Sequence, residues 1–143
     1  MTYCTQEDIE TRIGPDDLVA LADHDGDGTA DTAVVEQAIL GAEAVIDTHL
    51  GVRFAVPVLT AEGEPPDALR ARAVNLAVYF LQLGRDSLTD DLRAQHEADL
   101  EWLREVATGR ASLGIEPEPA ESAGAPGVRT ETDPRVFGRE EPL

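Results

Sequence analysis

The chain has 143 residues, a length that suits one domain rather than two, and its apolar share of 42% is that of a folded protein. Aromatic residues make up only 4%, so a core has to come from Leu, Val, Ile and Ala, which favours closely packed helices. Formal net charge is -18 and every basic residue is Arg, which argues against sequence-specific DNA binding because that affinity comes chiefly from cations neutralising phosphates. The single cysteine, Cys4, excludes an internal disulfide framework and a thiolate zinc cluster from this chain alone, and reads as a small apolar residue near the start of the fold. A signal-like basic and apolar leader and an apolar run of about 20 residues are both missing, so the sequence points to a soluble intracellular or intravirion protein.

The spacing predicts a first helix over 6–13, with Thr5 as N-cap and Asp8 completing a capping box, ended by Gly14-Pro15. Pro15 suits the first turn of a second short helix reaching Ala22, whose Asp16 and Asp17 complement the helix dipole. A long helix over 32–50 follows, with Val34, Val35, Ala38, Ile39, Ala42, Val45, Ile46 and Leu50 recurring every three or four residues. Gly51 is its C-cap candidate. Val52 to Val58 then alternates as an extended segment or short strand would, with Pro57 arguing against a central strand.

Pro65-Pro66 introduces a helix over 67–83 carrying Leu69, Ala73, Leu76, Phe80 and Leu83, widened by Val74, Ala77, Val78 and Leu81. So broad an apolar surface suits a central helix, or one with a second face against another subunit. Thr89 caps a last helix over 90–108, with Leu92, His96, Leu100, Leu103 and Ala107 as its stripe and Trp102 and Val106 to one side. His96 reads as a satisfied, partly buried histidine. From Arg110 onward Pro and Gly accumulate without a periodic apolar face, so 1–109 reads as the helical domain and 110–143 as an irregular tail. Leu113, Ile115, Val128, Val136 and Phe137 are its isolated apolar anchors, spaced as in segments that order against a partner. The fold class is therefore all-α: four to five helices, a short extended or hairpin segment, and a long tail.

The densest chemistry lies in Asp23-His24-Asp25-Gly26-Asp27-Gly28-Thr29-Ala30-Asp31. Oxygen ligands at alternate positions let one tight loop wrap a hard cation such as Ca2+. Asp23, Asp25 and Asp27 take the first, third and fifth places of an EF-hand loop, Thr29 offers its carbonyl at the seventh, and Asp31 stands ninth. The twelfth place, where an EF-hand puts a bidentate Glu, is Val34, and Glu36 is the nearest carboxylate downstream. Such a site would hold Ca2+ with a dissociation constant on the order of 10⁻⁴ to 10⁻³ M. The competing reading is that Asp and Gly build a turn and cap the next helix. For catalysis the sequence offers no Gly-rich phosphate loop, nucleophile elbow or His-Glu metal signature, and His24, His49 and His96 are scattered, so no enzyme is expected.

The order of these pieces resembles the Mu-like phage and prophage proteins that serve as head-tail connectors. The residues that carry the resemblance are Asp23-His24-Asp25-Gly26-Asp27-Gly28, then Ala44-Val45-Ile46-Asp47-Thr48-His49-Leu50 and Arg53-Phe54-Ala55-Val56-Pro57. Trp102-Leu103-Arg104 and Thr108-Gly109-Arg110-Ala111-Ser112-Leu113-Gly114 complete it. The resemblance implies a homo-oligomeric ring, expected to be twelvefold, at the head-tail junction of a virion and made in the host cytoplasm. One side would grip the portal protein, the other would receive a stopper or tail-terminator protein, and DNA would pass through the middle. The long tail after Gly114 departs from the family pattern, so its docking site is not carried over.

Overall fold

The computed structural model describes residues 2–117. Five helices follow in order: α1 (Gln6–Ile13), α2 (Pro15–Ala22), α3 (Thr32–Leu50), α4 (Asp67–Gly84) and α5 (Asp90–Ala107). No strand occurs among the described residues, and none of these helices is long and apolar enough to cross a membrane. The all-α class expected from composition is therefore the observed one.

Local chemistry sets most of the boundaries. Thr5 Oγ1 accepts from the Asp8 N–H at 3.2 Å while the Asp8 carboxylate accepts from the Thr5 N–H at 2.9 Å, a complete capping box. Gly14, at φ +93°, turns the chain between α1 and α2, and Pro15 opens α2 where a missing N–H costs nothing. Thr89 Oγ1 caps α5 by accepting from the Leu92 N–H at 3.2 Å. At the far end of α5, Gly109 N–H reaches Val106 O at 3.2 Å and Arg110 N–H reaches Glu105 O at 2.7 Å. These two bonds, with Gly109 at φ +88°, form a Schellman motif.

The centre of the fold is α3 packed along α4. Val35, Ala38, Ile39, Ala42, Ile46 and Leu50 are buried on α3, and Leu69, Ala73, Val74, Leu76, Ala77, Val78 and Leu81 on α4. Alanines on both facing surfaces allow the helix axes to come close, and larger neighbours supply the burial, about 1.5–3 kcal/mol for each fully enclosed Leu or Ile. The pair α1 and α2 leans on α4, and α5 lies across both long helices. Tyr3 and Cys4 close the core at the N-terminal end. The Tyr3 hydroxyl donates to Asp47 Oδ1 at 2.5 Å and accepts from the buried Val58 N–H at 2.9 Å, tying the N-terminus to α3 and to the α3–α4 connection. Burial pushes the Cys4 thiol up to about 12, so it stays a neutral apolar filler.

The connection between α3 and α4 corrects one expectation. Residues 52–58 form turns and bends, with a cis peptide before Pro57, and not a strand. Phe54 and Val58, four apart, face the core while Val52 and Val56 face outward, so the burial pattern is that of a winding chain. The hairpin-like part of the excursion is a closed turn, with Thr60 N–H bonded to Glu64 O at 2.7 Å. Beyond α5, Ala111, Leu113 and Ile115 are half-buried against the core. The expected anchors Val128, Val136 and Phe137 lie outside the described residues.

Candidate functional site

The acidic loop starts at the last turn of α2, where Asp23 N–H bonds Val19 O at 2.9 Å, and ends at Asp31, whose N–H bonds Ala22 O at 2.9 Å. That second bond closes the loop into a compact ring of chain. Inside it the carboxylates turn toward backbone donors. Asp23 Oδ1 accepts from Gly26 N–H at 2.8 Å and Asp27 N–H at 3.2 Å, and Asp23 Oδ2 accepts from Gly28 N–H at 2.9 Å. Asp25 Oδ1 accepts from Asp27 N–H at 3.1 Å, and Asp27 Oδ1 accepts from the Thr29 N–H and hydroxyl, both at 2.9 Å. Gly26 and Gly28 sit at φ +78° and +86°, a region a side chain resists, so glycine at these two positions is what lets the N–H groups point inward.

The loop forms a turn built on Asp and Gly, with one departure from the expected cap. Asp31 occupies the N-cap position of α3 but its side chain makes no cap; it accepts from His24 N–H at 2.9 Å across the loop. The helix start is instead held by the Asp31 carbonyl, which accepts from Val34 and Val35 N–H. Arg85, just past α4, donates to Asp23 O at 2.7 Å and pins the loop to the end of that helix.

The structure brings together four of the five candidate ligands: carboxylate oxygens of Asp23, Asp25, Asp27 and Asp31 all lie within 4.8 Å of one another. Thr29 meets the cluster through its N–H and hydroxyl. Hard cations such as Ca2+ bind oxygens at about 2.3–2.6 Å, so opposed ligands stand roughly 5 Å apart, and the donor set fits on spacing and type. Val34, in the twelfth place, is half-buried against the core and supplies no oxygen. Asp23 is held below the usual carboxylate range chiefly by the Gly28 N–H bond, and Asp27 by the Thr29 N–H bond. Asp25 moves the other way: its bond from Asp27 N–H lowers it, but desolvation, the Asp23 carboxyl and repulsion from Asp27 and Asp31 together raise it. Crowding like charges this way is relieved by a proton or by a cation.

A second polar group was not anticipated from the sequence. Asp99, 1% exposed, sits on the face of α5 turned to α4. Its Oδ1 receives Gln95 at 3.2 Å and Asn75 at 3.5 Å, while Arg72 Nε stands 3.5 Å away without hydrogen-bond alignment. Asp99 Oδ2 has no partner. Burial foremost raises this carboxyl above its ordinary value, and the Gln95 bond and Arg72 only partly offset that. The Arg72 guanidinium lies 4.6 Å from the centre of the Trp102 ring, a cation–π contact that orients it.

His96 stacks on Tyr79 at 3.7 Å with the rings 5° from parallel, and its buried Nδ1 has no partner, so it is packed rather than satisfied as expected. Desolvation lowers its affinity for a proton. The sequence did hold a signal for this seam: Gln95, Asp99, Leu103 and Val106 continue one helical line at spacings of three and four. Arg53 was also missed as a structural residue; it donates to Val106 O at 2.8 Å and so caps the end of α5 with a cation.

Comparison with known proteins now places the chain. The family described as "Bacteriophage Mu, Gp36" matches residues 3–130. "Gene product J" of Escherichia phage Mu is 31% identical over 143 residues, covering 99% of this chain and 97% of the relative. The "Mu-like prophage FluMu protein gp36" of Haemophilus influenzae is 32% identical over 109 residues, 76% of this chain and 73% of that one. The match spans the acidic loop, all five helices and the start of the tail, and the chain belongs to this Mu-like phage protein family.

Proposed function

We propose that the chain is a structural head-tail connector subunit of a tailed phage or phage-like particle, with no catalytic role. In this reading it forms a ring, expected to be twelvefold, between the portal and a tail-side stopper or terminator, and DNA passes through. Membership of a Mu-like phage family supplies the context. The observation that carries the reading is the excursion between α3 and α4. Val52 is 73% exposed and Val56 40%, while Phe54 and Val58 beside them lock the same segment to the core. A rigidly held loop that presents apolar side chains outward suits contact with a neighbouring subunit or the portal. A net charge of -18 suits a passage that repels the DNA sliding through it.

The test is to mix the chain with the portal encoded beside it, with and without calcium, and to class-average the particles by electron microscopy. Symmetric density capping the portal is the expected result. Failure to bind the portal under either condition would remove the connector reading.

A second reading rests on the four carboxylates held within 4.8 Å: the loop is a weak Ca2+ site with a structural or regulatory role at the hinge between α2 and α3. It would act by neutralising the crowded Asp25, Asp27 and Asp31. Calorimetric titration with millimolar calcium checks it, the heat being absent in the Asp25→Asn, Asp27→Asn double variant. Absence of heat in the unmodified chain would end this reading and leave the loop as a turn.

A further inference from the structure

Among the described residues four large apolar side chains stand well exposed: Val52 and Val56 on the α3–α4 excursion, and Leu40 and Leu83, at 53% and 50%, on the two long helices. The second pair marks a cavity of about 480 Å³ between the early turns of α3 and the late turns of α4, lined by Val34, Gln37, Gly41, Phe80, Leu81 and Gly84 among others. Leu40 and Leu83 are the chain neighbours of Gly41 and Gly84 in its two walls. Glycine keeps the space open, since a Cβ at Gly84 would meet nothing within 4 Å. The molecule therefore carries one projecting apolar feature and one recessed one.

Charge ties the two together. Asp and Glu account for 29 of the 143 residues, yet the two longest stretches free of them are 48–61 and 68–85. The first holds the excursion with Val52 and Val56, and the second holds Phe80, Leu83 and Gly84. None of the residues lining the cavity is acidic; Glu36, one turn before Leu40, is the carboxylate on the α3 wall, and Arg53 is the one charged residue of 48–61. Two copies of a chain with net charge -18 repel each other over most of their surfaces, and these are the places where apolar contact meets least opposition. The excursion cannot fill the cavity of its own chain. Phe54, Val58 and the Tyr3 hydroxyl hold it beyond the C-terminal end of α3, and about 14 Å of helix separates Leu50 from Gly41.

We propose that the cavity between α3 and α4 receives Val52 and Val56 from a second copy of this chain, with Leu40 and Leu83 flanking the incoming valines. The closing of such contacts into a ring rests on the connector reading; the pairing of the two surfaces does not. Because the surfaces differ, the contact is heterologous: each copy offers its excursion to one neighbour and its cavity to the other, and a closed circle leaves neither exposed. All four apolar side chains that meet solvent in the free subunit are then covered by one kind of contact. A partner of another kind would have to cover two separate places.

The experiment is cross-linking by a short bismaleimide between cysteines placed at exposed positions of the full-length chain. It is run on the free chain at roughly 1 M salt, where the screening length falls to about 3 Å, and on the chain mixed with the portal. Cys4 does not interfere, being buried with its thiol held neutral. Val52→Cys mixed with Leu83→Cys should give a linked dimer and nothing larger, and the double variant carrying both should give a ladder of linked copies. Val52→Cys mixed with Ala98→Cys, at an exposed position of α5, should give no link. Gly84→Phe, which places a ring in the cavity at a point open to solvent, should abolish the 52–83 link while leaving the melting temperature in place. A 52–83 yield no higher than the 52–98 yield in both settings would overturn the proposal, as would a link that survives Gly84→Phe undiminished. Symmetric density on the portal without the 52–83 link refutes this contact alone, and the link without portal binding refutes the connector reading alone.

Discussion

The two carboxylate clusters of this protein are opposites. In the loop, Asp23, Asp25, Asp27 and Asp31 stand at or near the surface, and each has at least one oxygen bonded to a backbone N–H of the loop itself. At the α4–α5 seam a single Asp99 is enclosed, with three long contacts on one oxygen and none on the other. In the crowded cluster Asp23 and Asp27 are stabilised as carboxylates and Asp25 is not. A carboxylate is stabilised by donors and water rather than by isolation, and burial costs more than neighbouring like charge when the neighbours are solvated.

The largest test of that contrast removes the apolar packing beside Asp99. Leu103→Ala should destabilise the protein by about 3 kcal/mol, measured by urea unfolding, because a buried leucine is lost at the point where α5 meets α3 and α4. A loss below about 1 kcal/mol would mean that the polar contacts, not Leu103, hold α5 in place. Asp99→Ala comes next at about 2 kcal/mol, the cost of leaving Gln95, Asn75 and Arg72 facing an apolar gap.

The third test uses pH, and the two clusters should respond with opposite sign. Asp99 has a folded pKa above its unfolded value, so its contribution to stability is fully present below the unfolded pKa and is lost as pH rises through the folded one. Asp99→Asn removes that loss, and its melting temperature relative to the unmodified chain should climb as pH rises above about 4. Asp23 is depressed, so its contribution is present above the unfolded pKa and lost as pH falls through the folded one. Asp23→Asn should therefore lose melting temperature relative to the unmodified chain as pH rises toward about 4, below the window in which Asp99 acts. Parallel slopes for the two variants would erase the distinction between the clusters. The smallest effect belongs to Glu101→Ala, which breaks an exposed 3.0 Å pair with Arg104 on α5 and should change stability by less than ~0.5 kcal/mol.

The helices were legible because their signals are local. Thr5 with Asp8, Gly14-Pro15, Gly51 and Thr89 act within a few residues of themselves, and the apolar spacing of α3 and α4 needs only the 3.6-residue period. The loop was legible for the same reason: its carboxylates, its glycines and their backbone donors all fall within nine residues. The segment 52–58 misled because alternation is compatible with a strand, and only Tyr3, reaching in from 55 residues away to hold the Val58 N–H, shows which side chains turn inward.

What the sequence by itself determined is thus the all-helical class, the helix ends and the acidic loop, each encoded in contiguous residues. The tertiary structure alone decided that Asp99 is buried and His96 stacked, and that a groove opens beside Phe80. Those outcomes depend on which face of one helix meets another, and a charged residue on an amphipathic stripe carries no local mark of the side on which it will fall.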